Sequence, residues 1–386
     1  MSAVDALVVI QNSWGEVDWI LPVLRELRRR AGARILVHFP LQGVLDEGAA
    51  YRDLDACLRA TARVMGPADV ARAAAAPAGR LRLARRALRR GRLGRATAWR
   101  LMAGGDPGLA CLPAELLHAV TGGDPAWLLH DYSGQGHALY QRTFPGSRLV
   151  LFPHGTAEYL PGSEPLRHIV RRSFGEQPLP PEALVLVGTE GAVEFFRAAA
   201  GPADIRAVGH PMLDPAWQET LRGFRPEAPD PVQNRAPAVV LACIPMRKFP
   251  GRRRYLDMVR QVAQAAAALG RALVLKPHPR QAREEVRETL AALDAPDTPD
   301  APIRVADVSL ASALVPGDLA VVFPSSAGNQ AVARGIPVVE YFDYAAGDWP
   351  SYVPAEGGRT SVYRALGLAL PADDPAGLAA VLGGLA

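Results

Sequence analysis

The chain has 386 residues, which is more than one hydrophobic core usually organises, so its length predicts two domains. Hydrophobic residues make up 49% of it, yet no run of about 18 apolar residues occurs, which argues against a transmembrane helix. Cys57, Cys111 and Cys243 lack the spacing of a disulfide framework or a zinc cluster. No basic leader precedes the first apolar stretch, so we expect a cytoplasmic protein.

Apolar runs alternate with helical patterns through the first half of the chain. A buried strand is predicted over 6–11, a helix over 16–30 and a second strand over 34–38, which together open a βαβ unit. This alternation predicts a parallel sheet. Further short strands are predicted at 126–130, 148–152 and 183–187.

A segment rich in proline and charge, 215–237, separates the two halves, and we place the domain boundary after residue 214. The predicted domains are therefore 1–214 and 215–386. The second half alternates regularly enough to predict a doubly wound domain. Its strands are predicted at 238–243, 272–275, 303–305, 319–323 and 337–340, and its helices at 254–268, 280–293, 309–314, 327–334 and 375–385.

Arginine is concentrated in one helical segment of the first half, about 70–105. Nine arginines and no acidic residue lie between positions 80 and 100, although the whole chain carries a net charge of only +4. The pattern predicts a helix that lies on an anionic membrane surface or grips an acidic glycan, with a solvated surface helix as the alternative. No aromatic platform interleaves with the arginines, which disfavours nucleic acid as the partner. A helical wheel places Arg82, Arg85, Arg86 and Arg89 on one face and Leu81, Ala84 and Leu88 on another.

The sharpest signal for chemistry lies where an apolar strand of the second half ends. The strand runs into Lys276, His278 and Arg280, which two prolines separate. In open α/β sheets ligands bind beyond the carboxyl ends of the strands, so these side chains are expected to face a crevice. The prolines hold His278 in extended backbone, from which its imidazole can donate to a phosphate oxygen. A surface loop with solvated charges is the alternative.

A second strand of this half ends in small hydroxyl residues. Ser325 and Ser326 follow the strand and precede a predicted helix that contains Gly328. Helix N-termini present N–H groups and a partial positive charge to anions. We therefore predict that these residues share one phosphate site with Lys276, His278 and Arg280, although a plain helix cap would explain one serine.

The first half contributes its own polar strand ends. His154 follows an apolar strand, and its ordinary pKa near 6.5 suits a general base, with Glu158 as its orienting partner or as the base itself. We predict that the acceptor side of the site is lined by Asn12, His130, Asp131 and Gln135. A metal site at the His130/His137 pair is disfavoured because the loop spacing is not diagnostic. No metal or other cofactor is expected.

Three short segments, taken in order, resemble one group of enzymes. Pro153-His154-Gly155-Thr156, Lys276-Pro277-His278-Pro279 and Pro324-Ser325-Ser326 resemble the CDP-glycerol glycerophosphotransferases and the capsule Kdo and polysialic acid transferases. Segment 208–214 also looks like the interdomain segment of lipid A disaccharide synthase and UDP-N-acetylglucosamine 2-epimerase. The resemblance implies the GT-B fold: two Rossmann-like, doubly wound α/β domains that face a cleft. It also implies that His278, Ser325 and Ser326 hold the phosphate of a cytidine donor.

We therefore expect an inverting, metal-independent transferase that moves a sugar or a polyol phosphate from a cytidine nucleotide to a hydroxyl of a surface glycan or its lipid anchor. The chain departs from the resemblance after His154-Gly155, which weakens the case for a glycerophosphate donor. The alternatives are a UDP-sugar-dependent GT-B glycosyltransferase and a non-hydrolysing epimerase. The epimerases carry acidic residues just after the serine loop, where this chain has Asn329 and Gln330. An inert nucleotide-sugar-binding assembly protein is the alternative of another class.

Overall fold

Two parallel β-sheets, one in each half of the chain, form the framework of the protein. The computed structural model describes residues 4–89, 92–103, 113–132, 136–153, 155–156, 179–200, 203–224, 235–294, 303–345 and 358–386. Both sheets are described across all of their strands. The prediction of two Rossmann-like domains that face a cleft is confirmed.

The first sheet has seven strands in the order β3-β2-β1-β4-β5-β6-β7, all parallel. β1 is buried on both faces, since Leu7 and Val9 pack on one side and Ala6 and Val8 on the other. Such double burial produces the uninterrupted apolar runs seen in the sequence. The strands are β1 (Ala6–Val9), β2 (Ile35–His38), β3 (Arg63–Met65), β4 (Trp127–Asp131), β5 (Arg148–Phe152), β6 (Leu184–Val187) and β7 (Asp204–Ala207).

The second sheet has six parallel strands in the order β10-β9-β8-β11-β12-β13. In both sheets the strand order reverses beside the first strand, at β1/β4 and at β8/β11. A crevice opens at such a switch point. The strands are β8 (Val239–Ala242), β9 (Leu273–Lys276), β10 (Ile303–Val305), β11 (Leu319–Val322), β12 (Val338–Tyr341) and β13 (Leu370–Ala372).

Helices cover both faces of each sheet. In the first half they are α1 (Trp14–Ala31), α2 (Gln42–Asp46), α3 (Arg52–Thr61), α4 (Pro67–Ala75), α5 (Pro77–Arg89), α6 (Arg92–Met102), α7 (Pro113–Leu116), α8 (His118–Thr121), α9 (Gly136–Thr143) and α10 (Glu190–Ala200). In the second half they are α11 (Pro215–Arg222), α12 (Arg252–Ala268), α13 (Arg283–Ala292), α14 (Leu310–Ala313), α15 (Gly328–Val332), α16 (Val362–Ala365) and α17 (Pro375–Leu385).

The junction of the halves follows the predicted boundary at residue 214 in the sheets, because all strands of the first sheet precede it and all strands of the second follow it. Helix α11 nevertheless packs Trp217 and Leu221 into a core cluster of the first sheet. The boundary itself stays a prediction. Among the described residues, no helix combines the length and apolarity needed to cross a bilayer.

The arginine-rich segment forms two helices that pack together, α5 and α6. The predicted faces of α5 are wrong in detail. The helix docks through Leu83, Ala84 and Ala87, which places the predicted apolar residues Leu81 and Leu88 on the outside. Arg86 turns toward the domain instead, because its guanidinium reaches the carbonyl of Thr143 and the ring of His118.

Candidate functional site

A pocket lies between the two domains, where the carboxyl ends of both central strand pairs face each other. The second domain contributes residues that follow β8, β9 and β11, and the first contributes the start of α1 and the segment after β5. Of the predicted phosphate-site residues, Lys276, His278, Ser325 and Ser326 line this pocket, whereas Arg280 is absent from its described wall. The principal polar and backbone groups of the wall come from Ser13, Gly15, Asp18, Tyr51, Gly155, Thr156, Lys276, His278, Ser325, Ser326 and Gln330.

Lys276 ends β9 inside the pocket wall and is only 4% exposed. Its Nζ lies 3.9 Å from the centre of the Tyr51 ring and donates to the carbonyl of Pro277 at 3.0 Å. Burial lowers the pKa of Lys276 to about 8, although the nearby carboxylates of Asp53, Asp307 and Asp18 oppose that shift. The ammonium thus lies among groups of both domains, and its contact with a phosphate stays a prediction.

His278 and Arg280 extend from the same strand end. Nδ1 of His278 accepts a hydrogen bond from the backbone N–H of Arg280 at 3.0 Å. A neutral ring with Nδ1 as acceptor carries its proton on Nε2, which is then a donor. The Nε of Arg280 donates to the carbonyl of Asn12 at 3.1 Å, so this arginine bridges the two domains.

The segment after β11 forms the opposite wall. The Oγ of Ser325 accepts from the N–H of Ala327 at 3.3 Å, while the carbonyl of Ser326 accepts from the Thr156 hydroxyl at 2.8 Å. Gly328 does not line the pocket: a Cβ there would lie 3.2 Å from Cγ1 of Val338, so this glycine allows α15 to approach β12. Its role in phosphate binding stays a prediction.

The first-domain wall includes the start of α1, which is 18 residues long. The Glu16 carboxylate accepts hydrogen bonds from the N–H groups of Gln11, Asn12 and Ser13. The negative charge of Glu16 in the first turn offsets the positive end of the helix dipole, so this helix end attracts an anion less than the dipole alone suggests. The geometry therefore favours the second domain as the phosphate side of the pocket.

The predicted acceptor-side residues lie behind this wall. Asn12 donates from Nδ2 to Asp131 at 3.1 Å. His130 is fully buried, its Nδ1 lies 2.7 Å from the carbonyl of Asp131, and burial lowers its pKa to about 4. His130 and Asp131 are absent from the pocket wall among the described residues, so the prediction that they line it is not supported there. Gln135, His154 and Glu158 lie outside the described residues.

The His130/His137 pair, which the sequence analysis considered as a metal site, lies in the same region. The rings of His130 and His137 lie 6.2 Å apart, centre to centre. Within the described ranges, no group of three or more histidine, cysteine, aspartate or glutamate side chains has a metal-binding arrangement. The expectation of a metal-independent site stays a prediction.

Buried carboxylates join the domains, and the sequence analysis missed them. Asp53 on α3 accepts from both the N–H and the Oγ of Ser309, at 2.9 and 2.7 Å. Asp18 on α1 accepts from Nε2 of Gln330 at 2.8 Å. Each acid lies on the apolar stripe of its helix, as Asp18 does with Trp14 and Leu21. An acidic residue on the buried face of a helix is the sequence signal that could have predicted these contacts.

Three further contacts cross the cleft. The guanidinium of Arg52 pairs with Asp307, with 2.7 Å between the closest atoms. The hydroxyl of Tyr51 donates to the carbonyl of Pro277 at 3.2 Å, and Nδ2 of Asn329 donates to the carbonyl of Thr156 at 2.9 Å. The two domains are therefore joined on both sides of the pocket.

Comparison with known proteins places the fold. No protein-family profile and no curated protein sequence matches the chain. A UDP-N-acetylglucosamine 2-epimerase from Methanocaldococcus jannaschii, solved with UDP-GlcNAc and UDP, is similar in structure with a TM-score of 0.57 and 12% identity, over 98% of this chain and 92% of that one. The chain has the GT-B fold.

Two other solved structures have the same architecture. A protein from Listeria monocytogenes assigned as a UDP-N-acetylglucosamine 2-epimerase gives a TM-score of 0.56 at 12% identity, over 100% of this chain and 88% of that one. The S. aureus MnaA structure with UDP gives 0.54 at 10% identity, over 99% and 88%. At such low identity these similarities establish the fold alone.

Proposed function

We propose that this protein binds a UDP-sugar in the interdomain pocket and transfers the sugar to a hydroxyl acceptor. The observation that carries the proposal is the convergence of Lys276, His278, Ser325 and Ser326 on one pocket, opposite Gly155 and Thr156. Imidazole N–H and hydroxyl groups at strand ends suit a diphosphate, and they lie at the switch point of the second sheet.

Uridine is proposed in place of the cytidine that the short motifs implied. Two proteins with the same fold over nearly the whole chain, from M. jannaschii and S. aureus, were solved with UDP. Nothing comparable supports a cytidine nucleotide, a Kdo donor or a glycerophosphate donor. The nucleotide base is therefore the first property to measure.

The proposed chemistry is a direct displacement. The acceptor oxygen forms a bond to the anomeric carbon while the bond from that carbon to the donor phosphate breaks, with inversion. The Nε2–H of His278 and the serine hydroxyls would stabilise the negative charge that develops on the departing diphosphate. His154, with Glu158, would accept the hydroxyl proton; both flank Gly155 and Thr156, which reach the pocket.

Epimerisation of a UDP-sugar is the second candidate, because the epimerases share the fold over the whole chain. Two contacts favour transfer. The epimerases carry acidic residues just after the serine loop. At these positions this chain has Asn329, which donates to the carbonyl of Thr156, and Gln330, which donates to Asp18. These amides tie the domains together and have no acid–base capacity.

Calorimetric titration with UDP, UMP, CDP, CMP and GDP tests the donor site. We expect selective binding of UDP, weakened about tenfold or more in His278→Ala and in Ser325→Ala, because a charge-assisted hydrogen bond contributes roughly 1.5 to 3 kcal/mol. Arg253→Ala is the matched control, because this side chain of α12 is almost fully exposed and lies outside the pocket wall. Preference for CMP or CDP would restore the cytidine hypothesis, and absence of nucleotide binding would reject the proposal.

A second assay separates the three function classes. Incubation with UDP-sugars, followed by NMR of the products, distinguishes release of UDP from formation of the 2-epimer. His154→Ala is expected to lose turnover while it retains affinity for UDP. A protein that binds UDP, forms neither product with any acceptor and is indifferent to His154→Ala would be a binding module.

A further inference from the structure

The proposed sugar transfer makes no use of the basic hairpin, as we call helices α5 and α6 together. The two helices pack on each other, and their inner faces form a small core with α4 and α8. This core fixes the hairpin to the first domain. Its members are Ala74, Leu83, Ala84, Ala87, Ala98, Leu101 and Ala119.

The outer face of α5 combines large apolar and basic side chains. Leu81, Arg85, Leu88 and Arg89 follow one another at the i, i+4, i+7 and i+8 positions of a single helical stripe, and all four are exposed. Leu81 and Leu88 are 45% and 48% exposed. The two leucines and the two arginines therefore alternate along one exposed face of the helix.

The positive charge of this stripe is not compensated. Segment 77–102 contains nine arginines and no acidic residue. Arg86 turns inward, toward Asp124, His118 and Thr143. Within the described residues, Arg85 and Arg89 have no ion pair. Their charges therefore face solvent beside the two leucines.

We propose that this stripe of α5 docks the protein on an anionic lipid surface. The leucines would enter the boundary between headgroups and acyl chains, while Arg85 and Arg89 contact lipid phosphates. An acidic glycan or a nucleic acid would use the arginines but would leave the leucines without a role. The combination of both residue types on one stripe favours lipid.

Vesicle sedimentation with the full chain tests the proposal. We expect binding to phosphatidylcholine vesicles that contain about 30% phosphatidylglycerol, little binding to pure phosphatidylcholine, and weakening as salt rises. Arg85→Gln/Arg89→Gln is expected to reduce the affinity about 25-fold, at about fivefold per arginine. Leu81→Ser/Leu88→Ser is expected to reduce it by a similar factor at constant net charge.

Matched controls come from the second domain. Leu366→Ser/Leu370→Ser removes two leucines of similar exposure, 46% and 43%, and Arg253→Gln removes an arginine whose side chain is 97% exposed. These variants should bind vesicles as the wild type does. Circular dichroism should show that each variant is folded at the temperature of the binding assay, because none of the substituted side chains is fully buried.

Several outcomes would overturn the proposal. They are equal binding to both vesicle types, no binding to either, or wild-type binding by the leucine variant. Salt-sensitive binding to an acidic polysaccharide that ignores the leucine substitutions would assign the surface to glycan. Self-association that is lost in the leucine variant, without vesicle binding, would assign it to a second copy of the chain. Each result leaves the UDP-binding test unaffected.

Discussion

Two groups of buried charges differ in how they are satisfied. Arg235 and Asp318 form a two-pronged ion pair within the second domain, at 2.6 and 2.7 Å, with exposures of 3% and 0%. Asp318 also accepts from the N–H groups of Ala238 and Val315. Across the cleft, by contrast, Asp18 and Asp53 bond to neutral groups of the other domain, and Lys276 lies over an aromatic ring.

This difference explains how the two domains can move apart without leaving a buried charge unpaired. A buried ion pair that loses one partner leaves a charge in a medium of low polarity, which is strongly unfavourable. Hydrogen bonds that an acid receives from neutral donors, such as those of Ser309 and Gln330, can be replaced by hydrogen bonds to water when the cleft opens. The buried charges within the second domain are thus held by an ion pair, whereas those at the cleft are held by hydrogen bonds that can open for a ligand. The Arg52–Asp307 pair across the cleft is partly exposed to solvent.

The largest expected effect comes from removal of the intradomain pair. Asp318→Ala leaves the Arg235 guanidinium buried and unpaired, and it also deprives two backbone N–H groups of their acceptor. We expect a loss of about 3 to 5 kcal/mol in the free energy of unfolding, measured by urea denaturation. Asp257→Ala, which removes an exposed pair with Arg260, should cost less than about 1 kcal/mol. Equal stability of the two variants would contradict the comparison.

A smaller effect is expected at the interface. Asp53→Ala removes the acceptor of two Ser309 donors and should reduce the free energy of unfolding by about 1 to 3 kcal/mol. Hydrogen exchange of the Ser309 amide should accelerate at the same time, because the domains open more often. Asp55→Ala on the same helix, where the carboxylate pairs with exposed Arg59, should leave that exchange rate unchanged.

A pH-dependent effect is expected for Asp18. Burial, reinforced by the charge of Asp53, raises the pKa of Asp18 from 3.8 to about 7. An acid whose folded-state pKa is raised contributes stability that is fully present below about pH 3.8 and is lost as the pH rises to about 7. Asp18→Asn keeps an acceptor for Gln330 and removes the titration.

The variant should therefore gain stability relative to the wild type between pH 4 and 7, with a slope of at most about 1.4 kcal/mol per pH unit. Urea denaturation across this range measures the slope. Asp5→Asn is the control: the hydrogen bond from Arg34 lowers the pKa of Asp5 to about 2, outside the range. A flat difference between Asp18→Asn and the wild type would show that Asp18 titrates normally.

The smallest effect is expected at Tyr51. Tyr51→Phe removes the hydrogen bond to the carbonyl of Pro277 but keeps a ring over Lys276, so the loss should be about 0.5 to 1.5 kcal/mol. Tyr51→Leu removes the ring as well and should cost more. Thermal melting measures both. If the two variants melt together, the contact between Lys276 and the ring contributes nothing.

Most of the fold followed from the sequence because the central strands are buried on both faces. Every strand with a long apolar run was predicted within one or two residues, including β5 at 148–152. The missed strands, β3, β7 and β13, are three or four residues long and lie at the edges of their sheets, where residues are partly exposed. Such strands carry no distinctive apolar pattern.

The site was predicted in part for the same reason. Polar residues that follow a buried strand, such as Lys276 and Ser325, must lie at the sheet edge, and strand order then brings them together. Contacts between residues distant in the chain, such as Asp53 with Ser309, leave no local pattern. The outward position of Leu81 was missed because the sequence allows two orientations of α5. Ala84 can pack on the domain together with Leu81 and Leu88, or together with Leu83 and Ala87 as it does in the structure.

The strand order also determines how late in synthesis β1 gains its second neighbouring strand. β1 is central in the first sheet, with one side paired to β2 and the other to β4, in register from Ala6 with Trp127. At about 5 to 20 residues per second, a ribosome needs roughly 6 to 24 s to make the intervening chain. During that time one long edge of β1 has no native partner, which exposes an apolar strand to wrong pairing. We therefore expect this protein to accumulate poorly in a host that translates it slowly or has few chaperones.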